Sequence, residues 1–115
     1  MAKKTGGTGR RPAAKKKAGT LPKVRVRMYR QGLGDCFLLA FLTNTGRPFY
    51  MLIDCGVAAK LAPKRPGPSL REVANHVKES TGGKIDLLVV THAHWDHIAG
   101  FYSSPNTPSV FQDKD

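Results

Sequence analysis

Thr91-His92-Ala93-His94-Trp95-Asp96-His97 gathers three of the chain's four histidines and one carboxylate into seven positions. Neutral imidazole nitrogens and carboxylate oxygens are the donors that bind zinc, at about 2.0–2.2 Å. Side chains of an extended segment alternate sides with a period of two, so His92, His94 and Asp96 project together. His97, at the start of the next turn, can swing round beside Asp96. Two imidazoles at i and i+2 make one half-site; a carboxylate with an imidazole makes another. Two metals close together lower the pKa of a shared water and clamp the attacking and leaving oxygens. The mixed nitrogen and oxygen set also admits manganese or iron.

Other residues with chemical potential read differently. Asp54 ends an apolar stretch, where an acid needs a reason. It is either a carboxylate that orients the ligand loop from behind or an Asx-turn at a strand end. Asp35 follows Gly34 and reads as a turn residue. Trp95 reads as packing that roofs the loop, and Thr91 as strand-end packing or a hydroxyl hydrogen bond. His76 falls off the apolar stripe of a helix and reads as an exposed histidine. Cys36 and Cys55 form no C-x-x-C pair and sit in or beside apolar strands; they read as buried free thiols of a reducing cytoplasm, with a disulfide as the alternative.

A loop of this kind must hang from rigid elements, and the hydrophobic periodicity supplies them. Val24 to Tyr29 alternates apolar and polar residues, the period of a half-buried strand, with Val24, Val26 and Met28 facing inward. Gln31-Gly32-Leu33-Gly34-Asp35 is a glycine-rich turn. Cys36 to Leu42 is nearly all apolar and reads as a strand covered on both faces. Asn44-Thr45-Gly46-Arg47 turns the chain into a returning strand, Pro48 to Ile53. Ser69 and Glu72 match a capping box. Leu70, Val73, Ala74 and Val77 then follow helical spacing, and Gly82-Gly83 closes the helix. Ile85 to Val90 is a buried strand, with the histidine cluster at its C-terminal end. Strands packed with a covering helix, and ligands at strand ends, describe a layered α/β architecture.

The chain has 115 residues, enough for one small domain, and a net charge of +11. Eight of its 19 basic residues lie in residues 1–23, which hold no acid. Met1 and Leu21 are the only large apolar residues there, so the segment reads as a disordered basic tail. It is a handle for nucleic acid or another polyanion, or simply a solubilising start; no aromatics interleave the lysines to stack on bases. Residues 24–115 read as the folded part. No apolar run approaches a membrane span, and the basic start lacks the apolar stretch of a secretory signal.

Thr91-His92-Ala93-His94-Trp95-Asp96-His97-Ile98-Ala99-Gly100 resembles the T-H-x-H-x-D-H-x-x-G signature of the metallo-β-lactamase fold superfamily. Gly32 to Leu39 and Leu52 to Gly56 resemble the same family, the first being similar to the opening strands of its DNA-uptake branch. The resemblance covers about Val24 to Tyr102. It implies that the chain is the N-terminal half of the αββα sandwich, a mixed sheet with a covering helix. It implies that His92 and His94 ligate one zinc, that Asp96 and His97 ligate a second, and that Asp96 lies near the bridging hydroxide in a catalytic role. Asp54 matches the family's supporting strand-end aspartate. The implied activity is hydrolysis by metal-activated hydroxide, on substrates that range over lactams, thioesters, phosphodiesters and nucleic acids. The sequence departs from the pattern downstream. The family's third histidine, bridging aspartate and last histidine have no counterpart in Phe101 to Asp115, and Ser103 to Pro108 interrupts the helix the family places there.

The sequence supports three expectations. The first is a metal-dependent hydrolase in truncated or incomplete form, inactive alone and completed by another half. The second is a nucleic-acid-binding or interaction module that works through its basic tail. The third is a gene fragment whose uncovered sheet favours aggregation or homo-oligomers.

Overall fold

The computed structural model describes residues 23–58 and 67–112. The tail expected over residues 1–23 lies outside them except for Lys23, as do most of the proline-rich loop and the last three residues. Among the described residues four strands and two helices run in the order β1 (Val24–Met28), β2 (Phe37–Phe41), β3 (Phe49–Ile53), α1 (Leu70–Thr81), β4 (Leu87–Val89) and α2 (Trp95–Ile98). The strands form one sheet in sequence order. β1–β2 and β2–β3 are antiparallel and β3–β4 is parallel, so the sheet is mixed. A parallel pair needs a long crossover, and α1 supplies it.

The helix begins where its polar start predicts. Glu72 N–H donates to Ser69 Oγ at 3.2 Å and Ser69 N–H donates to Glu72 Oε2 at 2.7 Å, satisfying two of the amides that a helix start leaves unpaired. Gly82 ends it at φ 67°, where glycine carries no Cβ penalty. Its buried side chains are Val73, Ala74, Val77 and Thr81. Val73 and Val77 form one core with Leu38, Leu52, Cys36, Cys55 and Tyr29. The helix therefore covers the sheet face that carries Leu38 and Leu52.

The other face is uniformly apolar. Paired residues in register point the same way, and they fall into three tiers. Val24, Phe41 and Phe49 form one. Val26, Leu39, Met51 and Leu87 form the middle tier. Met28, Phe37, Ile53 and Val89 form the third. Among the described residues no element lies on this face. The inward placement expected for β1 is thus corrected: Val24, Val26 and Met28 are 42, 62 and 65 % exposed. β2 is likewise covered on one face and not on both. The alternation marks which residues share a face; α1 sits on the other one.

Two attachments position β4 and the segment beyond it. Asp86 binds the backbone of Tyr50 twice, accepting from its N–H through Oδ2 (2.8 Å) and donating its own N–H to the carbonyl (2.9 Å), and Arg47 grips its carboxylate from the side. Past the site, Arg71 donates to the carbonyls of Val110 and Gln112 at 2.7 and 3.2 Å, and Phe111 stacks on Phe101. This holds the segment after α2 against α1. No described helix is long and apolar enough to cross a membrane.

Candidate metal centre

The site lies where β3 and β4 end. Asp54 N–H donates to Val89 O, Cys55 N–H to His97 O and Gly100 N–H to Cys55 O, all within 2.9 Å. Asp35 N–H donates to Asp96 O at 3.1 Å. The histidine loop is thus stitched to the strand ends on both sides. The close approach needs glycine: a Cβ on Gly34 would lie 2.6 Å from Asp96 O, and one on Gly56 2.4 Å from the same atom.

Within the loop the imidazoles converge. The ring centroids of His92 and His97 are 3.7 Å apart, and those of His92 and His94 4.6 Å. Asp96 Oδ2 lies 3.4 Å from His97 Nε2. His97 is buried; His92 and His94 are exposed. Trp95 is exposed too, its ring edge-to-face with Tyr102 at 5.2 Å, so it flanks the loop rather than roofing it from within.

Asp54 holds this arrangement from behind. Its Oδ1 accepts from Thr91 N–H (2.8 Å), and its Oδ2 accepts from Thr91 Oγ1 (2.6 Å) and His97 Nδ1 (2.8 Å). It does so at φ 53°, a left-handed conformation that aspartate tolerates better than most residues. Burial works to raise its pKa, but the hydrogen bonds from Thr91 and His97 outweigh burial and hold the carboxyl below its usual range.

Donor counting fixes the tautomers. An ionised Asp54 can only accept, so His97 Nδ1 carries the proton. Thr91 gives its single hydroxyl proton to Asp54, so the contact with His92 Nδ1 at 3.1 Å requires that nitrogen to donate. In their neutral forms both rings therefore leave Nε2 unprotonated. The His97 lone pair then faces the Asp96 carboxylate, an arrangement that demands a proton or a cation between them. Accordingly the hydrogen bond to Asp54, aided by the charge of Asp96, raises the pKa of His97 despite its burial.

Asp35, Asp54 and His97 also bring one potential ligand atom each to within 4.8 Å of one another. We read this trio as the support beneath the site, because the oxygens of Asp54 are already spent on three donors and His97 Nδ1 bears a proton. Asp35 Oδ2 nonetheless sits 3.6 Å from His97 Nδ1, which its reading as a plain turn residue missed. A signal was present: Asp-Cys occurs twice, at 35–36 and 54–55, at the two strand ends that the hairpin brings side by side. His76 is corrected as well. It is not a free surface histidine but accepts from Arg27 Nη1 through Nε2 and contacts the Tyr29 hydroxyl through Nδ1, both at 2.8 Å.

The linked Asp54–His97 pair sets a pH dependence for the metal-free protein. His97, raised on folding, stabilises the fold fully below its ordinary value of 6.5, and this is lost as pH rises through its higher folded value. Asp54, lowered on folding, stabilises it above 3.8, and this is lost as pH falls through its lower folded value. Urea midpoints in chelator should therefore peak between about pH 4 and 6.5. His97→Gln should flatten the alkaline limb. An alkaline limb as steep in that variant as in the parent would count against this pairing.

A mixed sheet with a helix on one face and a histidine–aspartate loop at its strand ends is half of a metallo-β-lactamase-type domain. Residues 30–108 match the metallo-beta-lactamase superfamily, and the chain belongs to it. It is similar to the anti-Pycsar protein Apyc1 of Paenibacillus sp. (strain J14), 32 % identical over 79 residues, which are 65 % of this chain and 27 % of that one. It is equally similar to the anti-Pycsar protein Apyc1 of Saccharibacillus brassicae, 32 % identical over 73 residues, 60 % of this chain and 25 % of the relative. The matched region thus spans about a quarter of each relative. No solved structure matches the chain.

Proposed function

We propose that the chain supplies the first set of ligands of a dinuclear metallo-hydrolase site, with His92 and His94 serving one metal and Asp96 and His97 the other. The observation that carries this is the clustering of the three imidazoles, His92–His97 and His92–His94 centroids lying 3.7 and 4.6 Å apart, with Asp96 Oδ2 3.4 Å from His97 Nε2. The donor set fits zinc, and manganese or iron less selectively. A bound metal would supply Lewis acidity and lower the pKa of a coordinated water, as hydrolysis of an ester, amide or phosphodiester needs. The chain's own residues do the positioning. Asp54 and Thr91 fix the tautomers of His92 and His97 and stop the rings turning. Asp96 is the carboxylate placed to orient the attacking water, its catalytic role in this reading. His94, whose exposed ring touches that of His92 edge-on, is placed to adjust to the ion. The relatives' name, anti-Pycsar protein, enters the proposal as the setting in which to look for a substrate. A reducing cytoplasm, where Cys36 and Cys55 stay thiols, belongs to the same reading.

Zinc and cobalt titrations test the ligand assignment without turnover. The parent chain should take up metal, with cobalt giving the absorption of a nitrogen- and oxygen-ligated ion. His94→Ala should bind at least about tenfold more weakly, while His76→Ala, remote from the loop, should match the parent. Equal affinity in the parent and His94→Ala would remove the site.

A further inference from the structure

We propose that Cys36 and Cys55 form an oxidisable pair, closing to a disulfide under a peroxide and loosening the histidine loop as they do so. The pairing register puts them face to face. Phe37 pairs with Ile53, and Gly56 N–H donates to Asp35 O. Asp54 and Cys55 together therefore stand against the single residue Cys36, a bulge whose first residue holds φ 53°. The bulge turns Asp54 towards the loop and leaves Cys55 beside Cys36 on the helix-covered side, where both join the core with Val73 and Val77. Contact with the Cys55 thiol, and then burial, push the Cys36 thiol well above its usual range. Directly opposed Cβ atoms lie about 4.5–5.5 Å apart, and a disulfide wants about 3.5–4.5 Å. An approach on the order of 1 Å thus joins them.

The residue that must move also carries the loop. Cys55 N–H donates to His97 O and Gly100 N–H to Cys55 O, both at 2.8 Å. Gly100 lies over the thiol as well: a Cβ there would sit 3.0 Å from Cys55 Sγ. Cys36 and Cys55 are 1 and 0 % exposed, so an oxidant reaches them only when this segment lifts. The sulfur then uncovered attacks one peroxide oxygen, the O–O bond breaks, water leaves, and a sulfenic acid forms. The second sulfur displaces the hydroxyl as another water, and the S–S bond closes. Two thiols lose two electrons and two protons, and the peroxide takes them up. Drawing Cys55 towards Cys36 pulls the seat from under His97 and Gly100. An ion held by the loop keeps the segment down and slows the reaction; by linkage the disulfide weakens the hold on the ion. The disulfide itself rests on the bulge alone, and its effect on metal rests on the ligand assignment proposed above.

Hydrogen peroxide added to the full chain in chelator tests it. The intact mass should fall by two hydrogens, peptide mapping without reductant should link Cys36 to Cys55, and dithiothreitol should reverse both. Zinc at a level that saturates the parent should slow the reaction at least about tenfold, and slow it less in His94→Ala. The oxidised chain should bind zinc about tenfold more weakly than the reduced one, and its Cys55 and Gly100 amides should exchange hydrogen faster. Cys36→Ala should form no disulfide and keep its zinc affinity through the same treatment; Cys55→Ala serves if that variant fails to fold. A gain of oxygen without the link, or a link only between chains, would overturn the pair. A link that leaves zinc affinity and amide exchange unchanged would overturn its action on the loop. A reduced parent that takes up no zinc would sink the ligand assignment instead, and the mass and exchange readings would still decide the redox pair.

Discussion

Gly56→Ala is expected to unseat the histidine loop. The added Cβ would lie 2.3 Å from the carbonyl carbon of Asp96, 2.4 Å from its oxygen and 2.4 Å from the amide nitrogen of His97. All three are backbone atoms, so no side-chain rotation relieves the clash. The loop must lift from the strand ends, which breaks the bonds Cys55 N–H makes to His97 O and Gly100 N–H makes to Cys55 O. Overpacking and two lost hydrogen bonds together should cost about 3 kcal/mol. Zinc affinity should drop at least about tenfold, because ligands carried on a displaced backbone no longer meet. Gly46→Ala is the control. Its φ is positive, 80°, and its Cβ would meet nothing within 4 Å, so it should lose some stability and no metal affinity. Urea unfolding and a zinc competition assay measure both. Unchanged zinc uptake by Gly56→Ala would mean the seat plays no part in assembling the site.

Asp54→Asn carries the other large effect. Asparagine suits φ 53° as well as aspartate does, so the backbone stays put and only the chemistry changes. The amide can still accept from Thr91 N–H, but its NH₂ then confronts the Thr91 hydroxyl or the proton on His97 Nδ1. A buried group that loses its partner is costly, here about 3 kcal/mol. The His97 ring should titrate lower, since its hydrogen bond to Asp54 is the main influence raising it. Zinc binding should weaken by about 10- to 100-fold. Asp35→Asn should cost well under about 1 kcal/mol, because that side chain is 45 % exposed and only flanks the ring. Equal losses at positions 35 and 54 would refute the division of labour between the two aspartates.

Much of the architecture was legible because it is local. Ser69 and Glu72 announce a helix start three residues apart, and the cap is there. Strand periods and the Gly46 turn place the hairpin to within a residue or two. The histidine motif was legible for the same reason, its members lying within six positions. What stayed hidden depends on contacts distant in sequence. The repeated Asp-Cys at 35–36 and 54–55 links Asp35 with Asp54, but no residue near Asp35 names His97, far along the chain, as its neighbour. His76 finds Tyr29 and Arg27 across 47 and 49 positions. The exposed side of β1 eludes the pattern because alternation is blind to where a helix will lie. Asp54 stood between two readings on local grounds; only the positions of Thr91 and His97 reveal what its carboxylate holds.

The parallel pairing of β3 with β4 has a kinetic consequence. β1, β2 and β3 meet through short connections, whereas β4 must return across the whole stretch from Ile53 to Leu87 before its first ladder bond forms. Closing that span costs entropy before any contact rewards it. The meander can collapse early, and the histidine segment is drawn in late, once the crossover has docked. An ion captured by that segment would then act chiefly as a brake on the reverse step, lengthening the lifetime of the folded chain more than hastening its formation.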